Sequence, residues 1–231
     1  GLHPYEGPAP TRLTVFNGSP RGKAGNTELM LAEFIRGFVT AGGRCDETVH
    51  LIRSDNRESL RQRFAEAESV LLGFPLYTDA MPGVVKALIE ALAPLVGRKD
   101  NPPLGFLVQS GFPEAAHSRY VERYLQKLTV RLGSPYIGTI VKGGGEGTRQ
   151  RPPKANQALF DTLHQLGEGF GRTGRLNPTL LQELAKPERF PKIAVPILKL
   201  MAKTPIAQLW WNQQLKANDA YAHRFARPYA E

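Results

Sequence analysis

Asn17-Gly18-Ser19-Pro20-Arg21-Gly22-Lys23-Ala24-Gly25-Asn26-Thr27 lies between an apolar run (Leu13, Val15, Phe16) and a segment whose apolar positions are Leu31, Phe34, Ile35 and Phe38. The i, i+3, i+4, i+7 spacing of the second group sets it on one face of a helix. A strand, a loop of small, hydroxyl, amide and basic residues, then a helix start is a place prepared for an anion. The unpaired N–H groups of the first helical turn and the positive end of the helix dipole both face such a loop. Ser19, Asn26 and Thr27 supply side-chain donors, and Arg21 or Lys23 supplies charge. The alternative is an ordinary strand-to-helix turn in which Asn26 or Thr27 caps the helix. The dinucleotide fingerprint G-x-G-x-x-G is absent, because Gly18, Gly22 and Gly25 are spaced otherwise, and the triphosphate loop G-x-x-x-x-G-K-[ST] fails because Gly25 is followed by Asn26. A loop closed by Asn-Thr, without that lysine, suits a single phosphate monoester.

A second loop has the same setting. Ser69–Phe74 is an apolar run of strand length that empties into Pro75-Leu76-Tyr77-Thr78-Asp79-Ala80-Met81-Pro82-Gly83. A helix follows with Val85, Leu88, Ile89 and Leu92 on one face, and Pro82 suits its first position. Gly18-Ser19-Pro20-Arg21 with Gly25-Asn26-Thr27, then Pro75-x-Tyr77 with Met81-Pro82-Gly83, resembles the flavodoxin-like NAD(P)H-dependent FMN reductases and quinone reductases. The resemblance covers about residues 10–172.

The remaining pattern agrees with an α/β chain. Strand candidates are Arg12–Phe16, Cys45–Ile52, Ser69–Phe74, Leu104–Gln109 and Tyr136–Val141. Helix candidates alternate with them: Thr27–Ala41, Arg57–Ala67, Pro82–Val96, Ala115–Leu132 and Lys154–Arg172. Val121, Tyr124, Leu125, Leu128 and Leu132 share a face of the fourth, and Leu159, Leu163, Leu166 and Phe170 a face of the fifth. Five strands alternating with helices predict a parallel sheet covered on both sides. The resemblance implies a flavodoxin-like three-layer sandwich, a five-stranded parallel sheet of order 2-1-3-4-5 carrying a helical C-terminal extension. In such sheets ligands sit beyond the carboxyl ends of the strands where the order reverses, and both loops leave strands at that place. The organisation is therefore an irregular arm (1–10), a flavodoxin-like FMN-binding domain (11–174) and a helical extension (175–231), packed on the domain or on a partner subunit.

What the resemblance implies for the site can be written by residue. Ser19, Pro20, Arg21, Gly25, Asn26 and Thr27 hold the FMN phosphate; Pro75, Leu76, Tyr77 and Thr78 line the ring. Tyr77 offers a large apolar face to it, or else plugs the gap beside the third strand. Ser110-Gly111-Phe112, followed by Pro113-Glu114, lies by the pyrimidine edge, where N–H groups stabilise charge on the reduced ring; the other reading is a Gly-Pro turn with Glu114 at a helix start. Ser110 is no hydrolase nucleophile, since G-x-S-x-G is missing. A carboxylate beside a reduced flavin is unfavourable, so Asp79 caps the helix near Pro82 or meets a basic partner, with capping preferred. Met81 packs under its loop. Gly143-Gly144-Gly145-Glu146-Gly147 reads as a mobile substrate-side loop or a plain hinge, with Arg149 and Arg151 placed to meet a nicotinamide dinucleotide.

The implied activity is transfer of hydride from NADPH or NADH to FMN and on to a quinone, flavin or similar small acceptor, with the chemistry at the flavin and no side chain as catalytic acid or base. The alternative is a non-enzymatic flavodoxin-type electron carrier. Charge bears on that choice. The 231 residues carry a formal +9, with residues 1–100 neutral, 101–150 at +3 and 151–231 at +6. A basic chain suits attraction of a polyanionic nicotinamide cofactor better than the acidic docking surface of a carrier. The excess lies away from the phosphate loop and lacks an aromatic-and-basic RNA signature, so no nucleic-acid partner is expected. Family relatives often pair as homodimers or higher homo-oligomers. Cys45 is the sole cysteine, and His3, His50, His117, His164 and His223 show no metal spacing, so neither an iron–sulfur cluster nor another metal is expected. A reducing cytoplasm is the expected compartment, since no apolar run reaches a bilayer span and no secretory signal leads the chain. Beyond Gly174 come a short helix (Pro178–Ala185), Ile193–Met201 and Ile206–Trp211, broken by Pro191, Pro196 and Pro205. Trp210 and Trp211 must cover something. Packing within the protein or a dimer is favoured over a membrane contact by Lys192, Lys199, Lys203 and Lys216.

Overall fold

The computed structural model describes residues 4–54, 56–191, 193, 194, 196, 200 and 205–227. The start of the expected N-terminal arm, most of Ile193–Met201, and Lys192, Lys199 and Lys203 thus lie outside the described residues, as does the side chain of Trp210. The chain forms two compact units, Gly1–Arg189 and Phe190–Glu231.

The first unit is built on a parallel sheet. Its strands are β1 (Arg12–Asn17), β2 (Arg44–Cys45), β3 (Val49–His50), β4 (Val70–Leu76), β5 (Leu104–Ser110) and β6 (Tyr136–Lys142). The order is β2-β1-β4-β5-β6, with β3 also on β1, and every pair is parallel. This is the expected 2-1-3-4-5 topology with one difference: the second strand is two dipeptides. Asp46-Glu47-Thr48 leaves the ladder between them, and a 3₁₀ turn (Leu51–Arg53) ends the strand early. Asp46 instead reaches across to Arg12 at 2.7 Å. The opposite edge begins under the N-terminal arm, where the Tyr5 N–H donates to Tyr136 O at 2.9 Å. That strand is kinked at Gly138 (φ +141°), and its register against β5 shifts there.

Six helices accompany the sheet in this unit: α1 (Asn26–Thr40), α2 (Arg57–Ala65), α3 (Gly83–Ala91), α4 (Arg119–Leu132), α5 (Gln157–Thr173) and α6 (Pro178–Leu184). Several are shorter than the apolar spacing predicts, because Pro94, the Ala115–Ser118 turn and Pro153 convert their ends to 3₁₀ turns. Period-two alternation sends strand side chains to two cores. Val70, Leu72, Phe74, Leu104, Phe106 and Val108 meet α2, α3 and α4; Leu13, Val15, Leu71, Leu107 and Ile140 meet α1, α5 and α6. On α4 the buried face holds Val121, Leu125, Leu128 and Leu132, whereas Tyr124 is 46% exposed, a correction to its place in the expected core. At about 100° per residue it stands about 60° from Val121 and about 40° from Leu128, so it lies at the rim of that face rather than at its centre. Helix α6 brings Leu184, and the turn before it Leu176, into the α1–α5 core, so the compact unit runs past Gly174 to Arg189.

α1 and α5 cross at glycines. A Cβ on Gly37 would stand 1.9 Å from His164 O, and one on Gly167 would stand 1.9 Å from Phe34 O. Phe34 and Phe38 pack on Phe170 beside this crossing, with ring centroids 6.0 and 5.9 Å away. Cys45 is partly buried, and burial with nearby Asp46 pushes its thiol up to about 11, so it remains protonated at neutral pH.

The second unit contains α7 (Pro205–Ala217) and a 3₁₀ turn (Tyr221–His223). Trp211 is 57% exposed there. Among the described residues no helix is long and apolar enough to cross a membrane, and no group of metal-ligating side chains gathers.

Candidate functional site

Three loops converge beyond the carboxyl ends of β1, β4 and β5, where the strand order reverses between β1 and β4. Each strand there ends in residues that shape its loop. Asn17 closes β1 fully buried. Its Oδ1 accepts the Ser19 N–H at 2.8 Å, and its Nδ2 donates to Glu28 Oε2 at 2.7 Å. The same Glu28 oxygen stands 2.9 Å from His50 Nε2. β1, β3 and the first turn of α1 are thereby joined under the loop, with the Glu28 carboxylate favourably placed at a helix N-terminus. The Ser19 Oγ accepts the Arg21 N–H at 3.3 Å and its carbonyl accepts the Gly22 N–H at 2.9 Å, folding the chain at a residue with φ +51°. Gly25 is the N-cap of α1, and no side chain caps the helix. The expected alternative, Asn26 or Thr27 as cap, does not occur. A Cβ at Gly25 would meet Ser19 Oγ at 2.6 Å, so any larger residue there would displace the Ser19 hydroxyl.

β4 ends at Pro75-Leu76 and turns back at once. Tyr77 and Ala80 exchange backbone hydrogen bonds of 2.9 and 3.1 Å, and the two residues between them, Thr78 and Asp79, sit at φ +49° and +61°. This two-residue reversal asks for glycine or asparagine, and a β-branched Thr78 there is strained. Asp79 does not cap α3, whose N-cap is Pro82 without a side-chain hydrogen bond; it lies 3.4 Å from His117 Nδ1. The basic partner is found, and the preferred capping role is overturned. His117 Nε2 is 3.7 Å from Glu114, and the imidazole stacks on Phe112 with centroids 4.4 Å apart. Because Asp79 carries left-handed backbone, Asp79→Gly is expected to stabilise the protein by up to about 1 kcal/mol, read as a higher denaturant midpoint with unchanged slope.

β5 ends at Gln109-Ser110, and the glycine-rich segment after β6 packs alongside it. Gly145 N–H donates to Ser110 O and Gly144 N–H to Phe112 O, both at 2.8 Å. Arg151 Nη2 donates to Gly144 O and Glu146 O at 3.2 Å, and Thr148 Oγ1 to Gly145 O at 2.8 Å. The glycines serve close backbone approach: a Cβ on Gly143 would be 2.4 Å from Pro113 O, and one on Gly145 2.3 Å from Gln109 Oε1. These hydrogen bonds hold the segment against the β5 loop in this structure. Arg149 donates to Lys23 O and Gly25 O at 3.0 and 3.2 Å, while its N–H donates to Asn26 Oδ1 at 3.1 Å. Its guanidinium braces the loop between β1 and α1 in this structure.

The resulting cleft has a volume of about 340 Å³. Of the expected site residues, Ser19, Arg21, Asn26, Pro75, Leu76, Tyr77, Thr78, Gly111 and Phe112 line it together. Pro20 is exposed outside the lining, and Gly25, Thr27 and Ser110 are buried behind it. Ser110 Oγ donates to Phe112 O at 3.1 Å, a loop-shaping contact. Gln109 and Glu146 also line the cleft and were not expected. Gln109 is a polar residue at the carboxyl end of an otherwise apolar strand, which is a legible signal; its Oε1 is buried with no partner among the described residues. Glu146 Oε1 stands 3.9 Å from Arg21 Nη1, both side chains half exposed. Burial and the nearby Arg151 press the pKa of Lys142, at the end of β6, below the ordinary lysine range.

No protein-family model matches the chain, and no curated protein matches its sequence. Solved structures do. An FMN-dependent NADH-azoreductase from Bacillus anthracis, in complex with FMN, aligns with a TM-score of 0.55 at 12% identity, over 69% of this chain and 99% of that one. An NAD(P)H:quinone oxidoreductase from Methanothermobacter marburgensis aligns at 0.57 and 13%, over 70% and 97%. An NADPH-quinone reductase from P. pentosaceus aligns at 0.52 and 16%, over 68% and 96%. The protein therefore has a flavodoxin-like α/β fold, with its cleft at the switch point where that class of fold takes its ligands.

Proposed function

We propose that the protein is an FMN-dependent NAD(P)H oxidoreductase that reduces a small acceptor such as a quinone or flavin. One observation carries the reading: a phosphate-type loop and two ring-lining loops meet in a single cleft at the sheet's switch point. The residues fit the group. The uncapped N-terminus of α1 and the Arg21 guanidinium offer N–H donors and positive charge to a phosphate monoester. Gln109 Oε1, buried without a donor, has the chemistry to accept a polyol hydroxyl. Pro75, Leu76, Tyr77 and Phe112 form an apolar and aromatic wall suited to a flat heterocycle.

FMN, when bound, supplies the hydride acceptor and donor chemistry. The chain's own residues position it and exclude water. Tyr77 and Phe112, each nearly half exposed at the mouth, offer aromatic surface to the nicotinamide and then to the acceptor. A second copy of the chain completing the acceptor side belongs to the same proposal, as does a role for Arg149 or Arg151 toward the dinucleotide after rearrangement of their loop contacts. The similar azoreductase and quinone reductases support this reading through their fold and their named cofactors.

Titration of the purified protein with FMN, followed by flavin fluorescence, tests the binding. Anaerobic mixing with NADH or NADPH then tests the reaction. Rapid bleaching of the bound flavin, followed by reoxidation with a quinone, is expected. Absence of FMN uptake overturns the reading, and uptake without bleaching by either nicotinamide selects the electron carrier.

A further inference from the structure

Residues 189–218 contain five basic side chains, Arg189, Lys192, Lys199, Lys203 and Lys216, and not one acidic residue. Residues 190–218 of the second unit lie in this stretch, while the remainder of the unit carries Asp219 and Glu231; the unit bears large exposed apolar side chains: Ile193 (78%), Leu200 (70%), Leu209 (57%), Trp211 (57%) and Phe225 (82%). Such exposure in a chain whose first unit has two well-closed cores calls for a covering medium.

The arrangement within α7 says which medium. Leu209 and Trp211 are two residues apart on a helix, so they project about 200° from one another. Both are exposed, and the apolar surface is therefore a tip rather than a stripe. By sequence the first half, Pro205-Ile206-Ala207-Gln208-Leu209-Trp210-Trp211, is mostly apolar, and the second, Asn212-Gln213-Gln214-Leu215-Lys216-Ala217, is largely polar. A protein groove or a second copy of the chain covers one side of a helix. A lipid layer surrounds it. Paired tryptophans and flanking lysines are the side chains that settle at the headgroup level. In the turn that follows, the Arg224 guanidinium lies 4.0 Å from the Tyr221 ring centroid and 4.7 Å from that of Phe225, which pairs a cation with exposed aromatic surface again.

We propose that the Phe190–Glu231 unit docks on an anionic lipid surface, the apolar half of α7 entering the headgroup layer while Lys216 and Arg224 meet lipid phosphates. This holds whether or not the cleft takes a flavin.

Both tryptophans of the chain lie in α7, so intrinsic emission reports on this unit alone. The purified full chain is mixed with vesicles of phosphatidylcholine, with or without phosphatidylglycerol, and followed by co-sedimentation and tryptophan emission. Co-sedimentation and a blue shift are expected with the anionic vesicles, reversed by high salt. Each basic charge near such a surface is worth about fivefold in partition, so Lys216→Glu is expected to weaken binding about 25-fold. Trp211→Ser is expected to weaken it further without altering the circular dichroism. Failure to bind the anionic vesicles overturns the proposal. So does equal binding to the neutral ones, or a lipid-free blue shift that grows with protein concentration and marks a second copy as the covering surface.

Discussion

Gly37→Ala is expected to destabilise the protein by about 3 kcal/mol and to lower its melting temperature by roughly 6–12 °C. The added methyl would lie 1.9 Å from His164 O, a backbone atom fixed inside α5, so no rotamer change relieves the clash. The two helices must separate, and Phe34, Phe38 and Phe170 must lose contact with one another. Gly167→Ala meets the reciprocal obstacle at Phe34 O and is expected to behave alike. Gly169→Ala is the control, being on the same helix with open space at its Cβ. There the gain in helix propensity predicts a stabilisation of roughly 0.5–1 kcal/mol. Thermal unfolding of the three variants separates close packing from helix propensity; a tolerated Gly37→Ala would mean that α1 and α5 do not cross this closely.

Arg21→Ala is expected to weaken FMN binding by about 1.5–3 kcal/mol, roughly 10- to 150-fold, because it removes the charged donor that lines the cleft and that the proposed function assigns to the phosphate. Riboflavin, which has no phosphate, should bind this variant and the parent equally. Glu146→Gln is expected to act in the opposite sense. Its carboxylate stands 3.9 Å from Arg21 and repels an incoming dianion, so removing the charge should tighten FMN binding by a few-fold. Half-exposure of both side chains keeps the effect below about 1 kcal/mol, and added salt should erase most of it. Fluorescence titrations of both flavins at low and high salt measure all three quantities. Equal losses of FMN and riboflavin on removal of Arg21 would place the phosphate elsewhere.

The parts of this fold that could be read directly are those that local physics determines. Apolar runs of strand length, 3.6-residue periodicity in α1, α3 and α5, and small-residue loops at strand ends all survive into three dimensions, and nine of the lining residues come from the two loops and the third turn read that way. What escaped depends on partners distant in sequence. The second strand broke because Asp46 finds Arg12, a contact created by β1–β2 pairing. Asp79 was misassigned because His117 reaches it from beyond β5, and a capping rule sees only neighbours in sequence. Gln109 and Glu146 enter the cleft through the register of β5 against β6 and the hydrogen bonds of the glycine-rich segment to Ser110 and Phe112. Arg149 and Arg151, read from the sequence as meeting a nicotinamide dinucleotide, donate in this structure to backbone carbonyls 3.0–3.2 Å away, partners that no local pattern announces.

The fractured strand beside β1 has a consequence for how molecules of this protein meet. A long flat border would invite another polypeptide to add itself rung by rung, the route to fibrils. Here that margin offers two short rungs at a time, interrupted by charged Asp46 and Glu47, while the far margin is bent at Gly138 and begins beneath the segment around Tyr5. Growth by strand addition is discouraged at both borders, so any self-association in solution is left to helical and loop surfaces.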